Sequence, residues 1–181
     1  EVFEKLPKAK GGNMPLVEGL FYLLLTGDMP SEEQAAEVAD EFNKRRILPR
    51  FIYELIDAMP CCSHPMTIFS TANLTLHRES FFTKKYHAGI NKQDYWDPTY
   101  EDSLNLLAKL PEIATYTYAK LYRDGKRIQS NPNLDFGGNF AHMMGIGKPY
   151  DDVSRMHFIV HADHEAGNVS AHTGHLVASS L

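Results

Sequence analysis

Cysteine is almost absent from this chain of 181 residues: the only two, Cys61 and Cys62, are adjacent. Neighbouring residues are poorly placed to bridge each other, so the pattern excludes a disulfide framework and favours a reducing compartment. Long apolar runs are missing as well. The longest, from Leu20 to Leu25, falls far short of the roughly 20 residues needed to span a bilayer. The sequence therefore predicts no membrane-spanning helix.

An excess of positive charge is also missing. Lysine and arginine together number 18 and aspartate and glutamate 23, for a formal net charge of −5. This balance excludes wholesale binding to nucleic acid or to an anionic membrane, although local basic patches are compatible with it. With 43% hydrophobic residues, the chain can build the core of one globular domain, whereas two domains would be cramped.

Strand signals are nearly absent, and helix signals recur along the chain. No convincing alternation of apolar and polar residues and no Asn-Gly hairpin occurs. Ser31 followed by Gln34 forms the capping-box pattern of a helix start. We therefore predict an all-α, multi-helical fold of nine or ten short helices, packed as a single helical unit over residues 1–181.

Prolines and glycines set the predicted helix bounds. Pro111 is interpreted as the start of a new helix, and Gly137-Gly138 as residues that precede one. Residues 65–76 carry small and apolar side chains almost all round, which predicts burial in a core or in a subunit interface. The predicted helices are 15–25, 31–46, 50–59, 65–76, 80–87, 97–110, 111–122, 139–144 and one from 151 through 160 toward 164.

The two ends of the sequence suggest a piece of a longer protein. The chain begins with Glu1 and without a targeting sequence. Its last residues, 173–181, read as an apolar segment with no glycine cap or proline after it. We therefore expect that residues outside this sequence hold part of the chemistry.

Histidine is concentrated near the end of the chain, where five of the nine occur. Three of them are spaced to share one face of a helix, and Asn168 extends that face if the helix continues past Gly167. A shared face predicts a shared pocket or interface. The five are His157, His161, His164, His172 and His175.

Three interpretations of this histidine cluster stay open. Imidazoles three and four residues apart can converge on zinc, with Asp163 or Glu165 as an oxygen ligand, and this would make a metal-dependent helical enzyme. The order His-Ala-Asp-His-Glu nevertheless departs from the His-Glu-x-x-His of zinc peptidases. Histidines at a helix end can instead hold a carboxylate and polarise a carbonyl. In the third interpretation they are ordinary hydrogen-bonding residues, as in a non-catalytic helical interaction module.

The segment from Val160 to Thr173, Val-His-Ala-Asp-His-Glu-Ala-Gly-Asn-Val-Ser-Ala-His-Thr, resembles the signature of citrate synthase, in particular the mitochondrial type of eukaryotes. Further stretches agree in the same order, so the resemblance covers essentially all 181 residues. They are Leu-Pro-Lys-Ala-Lys-Gly-Gly from Leu6, Pro15 to Leu20, Thr26-Gly27, Ser-Glu-Glu-Gln from Ser31, His-Pro-Met from His64, Tyr95-Trp96, Tyr-Glu-Asp from Tyr100, Ala-Lys-Leu-Pro from Ala108, and Leu-Tyr-Arg from Leu121.

The resemblance implies an all-α homodimeric acyltransferase of the tricarboxylic acid cycle in the mitochondrial matrix. The family condenses acetyl-CoA, a co-substrate, with oxaloacetate and water to give citrate and CoA, and has no permanently bound cofactor or metal. Residues 1–181 would form part of its large domain and the start of the region leading to the small domain. The family's catalytic aspartate and two catalytic histidines match no position here, so this chain alone is expected to be inactive.

The resemblance also assigns binding roles to residues present here. His164 would contact oxaloacetate, His161 would support the turn more than touch the ligand, and Asn168 would help to order the catalytic loop. Lys92 stands where relatives have an arginine that reaches a CoA phosphate across the dimer, and a lysine supplies the charge without the bidentate fork. The helices 65–76 and 80–87 resemble the pair that packs across the dimer axis.

Overall fold

Short polar side chains fix where several helices of the computed structural model begin. Ser31 Oγ accepts a hydrogen bond from the Gln34 amide at 3.2 Å, and Gln34 Oε1 accepts one from the Ser31 amide at 2.9 Å, so the predicted capping box is present. Asp135 caps a later helix in the same way by accepting from the Gly138 amide. These bonds satisfy amides that a helix start leaves without partners.

The structure describes residues 1–162, 170, 172–174 and 177, and within these ranges it confirms the all-α prediction. Two 3₁₀ helices, Leu76–Glu79 and Lys92–Asp94, accompany the α-helices. The α-helices are α1 (Val2–Lys5), α2 (Val17–Thr26), α3 (Glu32–Arg45), α4 (Arg50–Ala58), α5 (Pro65–Thr75), α6 (Phe81–His87), α7 (Trp96–Tyr122), α8 (Phe136–Met144) and α9 (Tyr150–Ala162).

The prediction of two helices on either side of Pro111 is wrong, because α7 continues through this proline. Pro111 lacks an amide hydrogen and cannot bond to the preceding turn, which costs a helix interior about 3 kcal/mol. Packing offsets this cost: α3, α5, α6 and α8 all lie against α7. The Pro111 carbonyl also accepts from the Thr115 hydroxyl at 2.8 Å. Packing against four neighbouring helices therefore outweighs the tendency of proline to end a helix.

The predicted start of the helix at Asn139 is wrong by one turn, because α8 begins at Phe136 and includes Gly137 and Gly138. Glycine disfavours a helix interior by up to about 1 kcal/mol relative to alanine. A tertiary neighbour requires it here: a Cβ on Gly137 would lie 2.6 Å from Arg155 Cγ. The glycines allow α8 and α9 to approach closely.

An aliphatic cluster forms the largest part of the core, where α4, α5 and α7 meet. A smaller cluster joins the N-terminal segment, α2 and α9 through Leu6, Leu20 and Ile159. Among the described residues no helix has both the length and the hydropathy that crossing a bilayer requires. The members of the large cluster are Leu48, Ile52, Ile56, Ile68, Ala72, Leu76 and Ile113.

Candidate functional site

The predicted histidine face lies at the C-terminal end of α9. His157 and His161 are both exposed there, with their ring centroids 4.1 Å apart. His161 Nδ1 lies 2.8 Å from the His157 carbonyl oxygen. A carbonyl only accepts, so Nδ1 holds the hydrogen and donates it. Nε2 of His161 then remains to accept from a ligand or, in the protonated ring, to donate to one.

The other predicted substrate residues, His164 and Asn168, lie outside the described residues, as does His175. Lys92 is exposed in the 3₁₀ turn between α6 and α7, where its carbonyl accepts from the Tyr95 amide at 3.3 Å. Among the described residues no hydrogen bond or ion pair joins Lys92 to His161. The structure thus brings His157 and His161 together on α9. Lys92, the predicted contact to CoA, lies on a different segment, the turn between α6 and α7.

Arg155 anchors α9 upstream of the histidines. Its side chain is 5% exposed and makes a two-pronged contact with Asp135, from Nη2 to Oδ2 at 2.6 Å and from Nε to Oδ1 at 2.9 Å. Its Nη1 also donates to Asp152 Oδ1 at 2.7 Å. Burial by itself lowers the pKa of Arg155, but the two carboxylates outweigh it and raise this pKa above its ordinary value. The guanidinium therefore stays charged, and its planar fork fixes the rotation of α9 against α8.

Three glycines make room for Arg155, two beside its guanidinium and one beside its backbone. A Cβ on Gly12 would lie 2.8 Å from Arg155 Nη1, and one on Gly138 would lie 2.9 Å from Nη2. Gly137 faces the backbone of Arg155, whose Cα and amide nitrogen would both lie 3.1 Å from the added carbon. Larger side chains would displace the guanidinium or separate the helices. We call the set of Arg155, Asp135, Asp152 and these three glycines the arginine slot.

Asp152 extends the arginine slot to the N-terminal loop. Its carboxylate accepts from the Asn13 amide at 2.9 Å and from the Met14 amide at 3.3 Å. The bond from Asn13 is the main reason that the pKa of Asp152 lies below its usual value, and the bond to Arg155 adds to it. The loop preceding α2 is thereby tied to the first turn of α9 by charge-assisted bonds.

Glu18 is a buried carboxyl beside the arginine slot. It is 1% exposed, and Oε1 accepts from the Phe136 amide at 2.7 Å, at the start of α8. Its other oxygen, Oε2, has no hydrogen-bond partner among the described residues. Burial raises the pKa of Glu18 to about 7, although the Phe136 amide lowers it in part; nearby Asp135 raises it further and Arg155 opposes. The carboxyl therefore titrates near neutral pH.

Aromatic rings pack beneath the same end of α9. The ring of Phe158 meets those of Phe136 and Phe140 edge to face, each with a centroid distance of 5.2 Å. Next to these rings lies an apolar groove of about 390 Å³ whose lining includes Phe21 of α2 and Ala162, the last residue of α9. Ion pairs on one side and rings on the other therefore hold the helix that carries the histidines.

The titratable groups of the described part of the site include the exposed imidazoles of His157 and His161 and the buried carboxyl of Glu18. No three histidine, cysteine, aspartate or glutamate side chains of the described residues are grouped to hold a metal ion. An imidazole on a firmly held helix can donate a hydrogen bond to a carboxylate at low reorganisation cost.

The helices predicted to pair across a dimer axis are α5 and α6. Ile68 and Ala72 of α5 are buried within the chain, whereas Met66 is 56% and Leu74 is 77% exposed. The almost all-round apolar surface predicted for 65–76 therefore divides into a face covered by the chain itself and a face left open. A phenylalanine of α6, Phe81, adds a further exposed apolar side chain.

A groove of about 580 Å³ runs beside the open face of α5. Exposed apolar side chains line it, among them Ile47 at 75% and Leu106 at 40% exposure. Asn73 also lines it, and its buried Oδ1 has no hydrogen-bond partner among the described residues. An unpaired buried amide oxygen costs free energy unless a donor reaches it. We call this groove with Met66, Leu74 and Phe81 the α5 surface.

Sequence reasoning missed the residues of the arginine slot and Glu18. A glutamate inside the apolar run 15–25 was one available signal, because a buried carboxyl requires a partner. The pair Gly137-Gly138 was another, since adjacent glycines within a helix indicate the close approach of a neighbour. The link from Asp135 to Arg155 has no such signal, because it joins residues that only the fold brings together.

Comparison with known proteins adds the decisive observation. The family described as citrate synthase, C-terminal domain, matches residues 12–181. The chain belongs to the citrate synthase family. It is 49% identical to the mitochondrial citrate synthase of Daucus carota over 177 residues, or 97% of the chain, and 49% identical to that of Aspergillus niger over 183 residues, or 100% of the chain. It spans 38% of the length of each of these two relatives.

A solved citrate synthase structure shares the fold. The citrate synthase of Pyrobaculum aerophilum aligns with a TM-score of 0.70 and 26% identity, over 83% of this chain and 38% of that one. The resemblance to citrate synthase predicted from the sequence motifs is therefore confirmed. The comparisons give no support to a metal-dependent helical enzyme or to a non-catalytic interaction module.

Proposed function

We propose that this chain is part of a citrate synthase that condenses acetyl-CoA with oxaloacetate and water to give citrate and CoA. The observation that carries the proposal is the 49% identity to mitochondrial citrate synthases along the whole chain. The attachment of α9 supports it, because the arginine slot holds the helix that carries His157 and His161. Residues 1–181 belong in this proposal to the large domain and the start of the region leading to the small domain.

In this proposal oxaloacetate is the small anion at the end of α9. His164 donates a hydrogen bond to one of its carboxylates, Asn168 orders the neighbouring loop, and His161 supports the turn. The bond from His161 Nδ1 to the His157 carbonyl suits a supporting role, since it engages one nitrogen within the helix. Lys92 supplies positive charge to a CoA phosphate. No permanent cofactor takes part, and acetyl-CoA is a co-substrate.

A chimera tests the activity. The stretch of the Aspergillus niger enzyme that matches this chain is replaced by the chain, and citrate formation is measured. We expect activity in the chimera and none in the isolated 181-residue chain, which holds no match to the family's catalytic aspartate and two catalytic histidines. A folded chimera without activity would contradict the proposal.

Variants of the chimera separate the residue roles. His164→Asn is expected to raise the KM for oxaloacetate by roughly tenfold or more, since a charge-assisted hydrogen bond contributes about 1.5–3 kcal/mol. His161→Asn should have a smaller effect, and His172→Asn is the matched control with none. Lys92→Ala should raise the KM for acetyl-CoA and leave the KM for oxaloacetate unchanged. Equal effects of His164→Asn and His172→Asn would refute the assignment of His164.

We further propose that the protein forms a homodimer through α5 and α6 and acts in the mitochondrial matrix. The open apolar residues of the α5 surface and the unpaired Asn73 oxygen support the homodimer, and the mitochondrial relatives support the location in the matrix.

In sedimentation equilibrium, Leu74→Glu in the chimera should shift dimer toward monomer. Leu25→Glu, a change at a 53% exposed leucine of α2, should not. A dimer unaffected by Leu74→Glu would place the interface elsewhere.

A further inference from the structure

Two free thiols stand side by side on a tight turn. The Ser63 amide donates to the Pro60 carbonyl at 3.0 Å, which closes a β-turn with Cys61 and Cys62 at its two central positions. Both cysteines are exposed and free, and the sequence contains no others. Neither the proposed enzymatic function nor the family match gives these thiols a role.

The turn is held at both ends. On the side of α4, Lys120 Nζ donates to the Ile56 carbonyl at 2.7 Å and to the Asp57 carbonyl at 2.8 Å. On the side of α5, the His64 imidazole accepts from the Met66 amide at 3.2 Å and caps the helix. The dithiol is therefore displayed on a fixed connection between two helices.

Adjacent thiols on such a turn suit a bridging atom better than a direct bond. Consecutive Cα atoms lie about 3.8 Å apart, less than the roughly 4.4–6.8 Å usual for disulfides. An atom bound between the two sulfurs allows them to stay farther apart than they are in a disulfide. A metal ion that needs three or four protein ligands would find only these two sulfurs, because no group of three ligating side chains occurs among the described residues.

We propose that Cys61 and Cys62 form a dithiol binding site for trivalent arsenic that carries one organic substituent. Such a centre needs two sulfur ligands beside its own substituent, and the turn supplies two. In the reaction the As=O bond of the arsenical breaks, two As–S bonds form, and the two thiol protons leave with the oxygen as water. Arsenic stays trivalent, so no oxidant or reductant is required. The site is independent of the proposed citrate synthase activity.

The test uses phenylarsine oxide with the reduced chain, freed of thiol reagents, and intact-mass measurement under native conditions. We expect one adduct per chain, with the mass of the arsenical less one water, that survives desalting and is removed by 2,3-dimercaptopropanol. Because the second sulfur binds at high effective concentration, Cys61→Ser and Cys62→Ser should each weaken binding by roughly 10²-fold. Circular dichroism checks that both variants fold.

N-Ethylmaleimide, which reacts with single thiols, serves as the accessibility control and should modify both cysteines of the native chain. Two arsenical adducts per chain would show thiols that act separately and would overturn the proposal. So would unchanged affinity in either serine variant. Failure of the arsenical to bind a chain whose two thiols both react with N-ethylmaleimide would overturn it as well.

Discussion

α5 and α9 are helices of similar length, and only α9 adds buried ion pairs to its apolar contacts. α5 is fixed by aliphatic contacts, with Ile68 and Ala72 buried in the cluster around Ile113. α9 has apolar contacts as well, through Ile159 and Phe158, but the arginine slot also holds it, with a buried guanidinium that bridges Asp135 and Asp152. Aliphatic packing is non-directional, whereas a two-pronged ion pair sets orientation. Directional bonds occur at the helix that presents the histidines.

The two means of attachment should respond to different perturbations. The aliphatic cluster depends on volume, because a missing methyl group leaves a void. The arginine slot depends on charge and on the space its glycines leave. Substitutions that change the core volume should therefore affect α5 most, and substitutions that change the buried charge or the space at the glycines should affect α9 most.

The strongest test of the contrast removes the buried charge. Arg155→Met leaves Asp135 and Asp152 without their cation, and the loss of one partner from a buried pair costs about 3–5 kcal/mol. Urea unfolding should show this decrease in the free energy of unfolding. Arg50→Met is the matched control: the Arg50 side chain is 91% exposed and pairs with Glu54, so a change below about 1 kcal/mol is expected. Equal effects would mean that the slot contributes no more than a surface pair.

On the aliphatic side, Ile113→Ala should cost about 2–5 kcal/mol, because Ile113 is fully buried and surrounding side chains close such a void only in part. Ile113→Val, which removes one methylene, should cost about 0.5–1.5 kcal/mol. Unfolding at pH 5 and at pH 8 should give the same loss for each variant. A pH-dependent loss would show that the cluster is coupled to the titrating groups around α9.

Sequence patterns predicted the helices well where one local signal decided the outcome. The capping box at Ser31 fixed the start of α3, and the spacing of His157 and His161 placed both rings on one face of α9. The patterns failed at Pro111 and at Gly137, where packing against a distant helix overrides the residue's own preference. The candidate site divides in the same way. Its histidines are visible in the sequence, while the residues that hold their helix are separated along the chain.

Because Glu18 lies beside the arginine slot, the free energy of unfolding should depend on pH through its carboxyl. Its pKa is raised from 4.5 to about 7 in the folded chain, so between these values the folded state binds more protons than the unfolded state. Stability from this group therefore falls as pH rises from about 4.5 to about 7 and is constant above, a loss of about 3 kcal/mol. Glu18→Gln should remove this slope from the unfolding free energy measured across pH. Glu54→Gln, at an exposed glutamate, should leave the slope unchanged, and a curve for Glu18→Gln parallel to that of the unmodified chain would contradict the assignment.

A further test probes the space that Gly137 leaves for Arg155. Gly137→Ala places a methyl group 2.6 Å from Arg155 Cγ and 3.1 Å from its backbone, so α8 and α9 must separate, at a cost of about 1–3 kcal/mol. Gly19→Ala is the matched control, since Gly19 is also buried in a helix but an added Cβ would meet only atoms at 3.6–3.7 Å. That change should be neutral or stabilise by up to about 1 kcal/mol. If both alanines prove neutral in urea unfolding, the glycines of the arginine slot do not set the distance between α8 and α9.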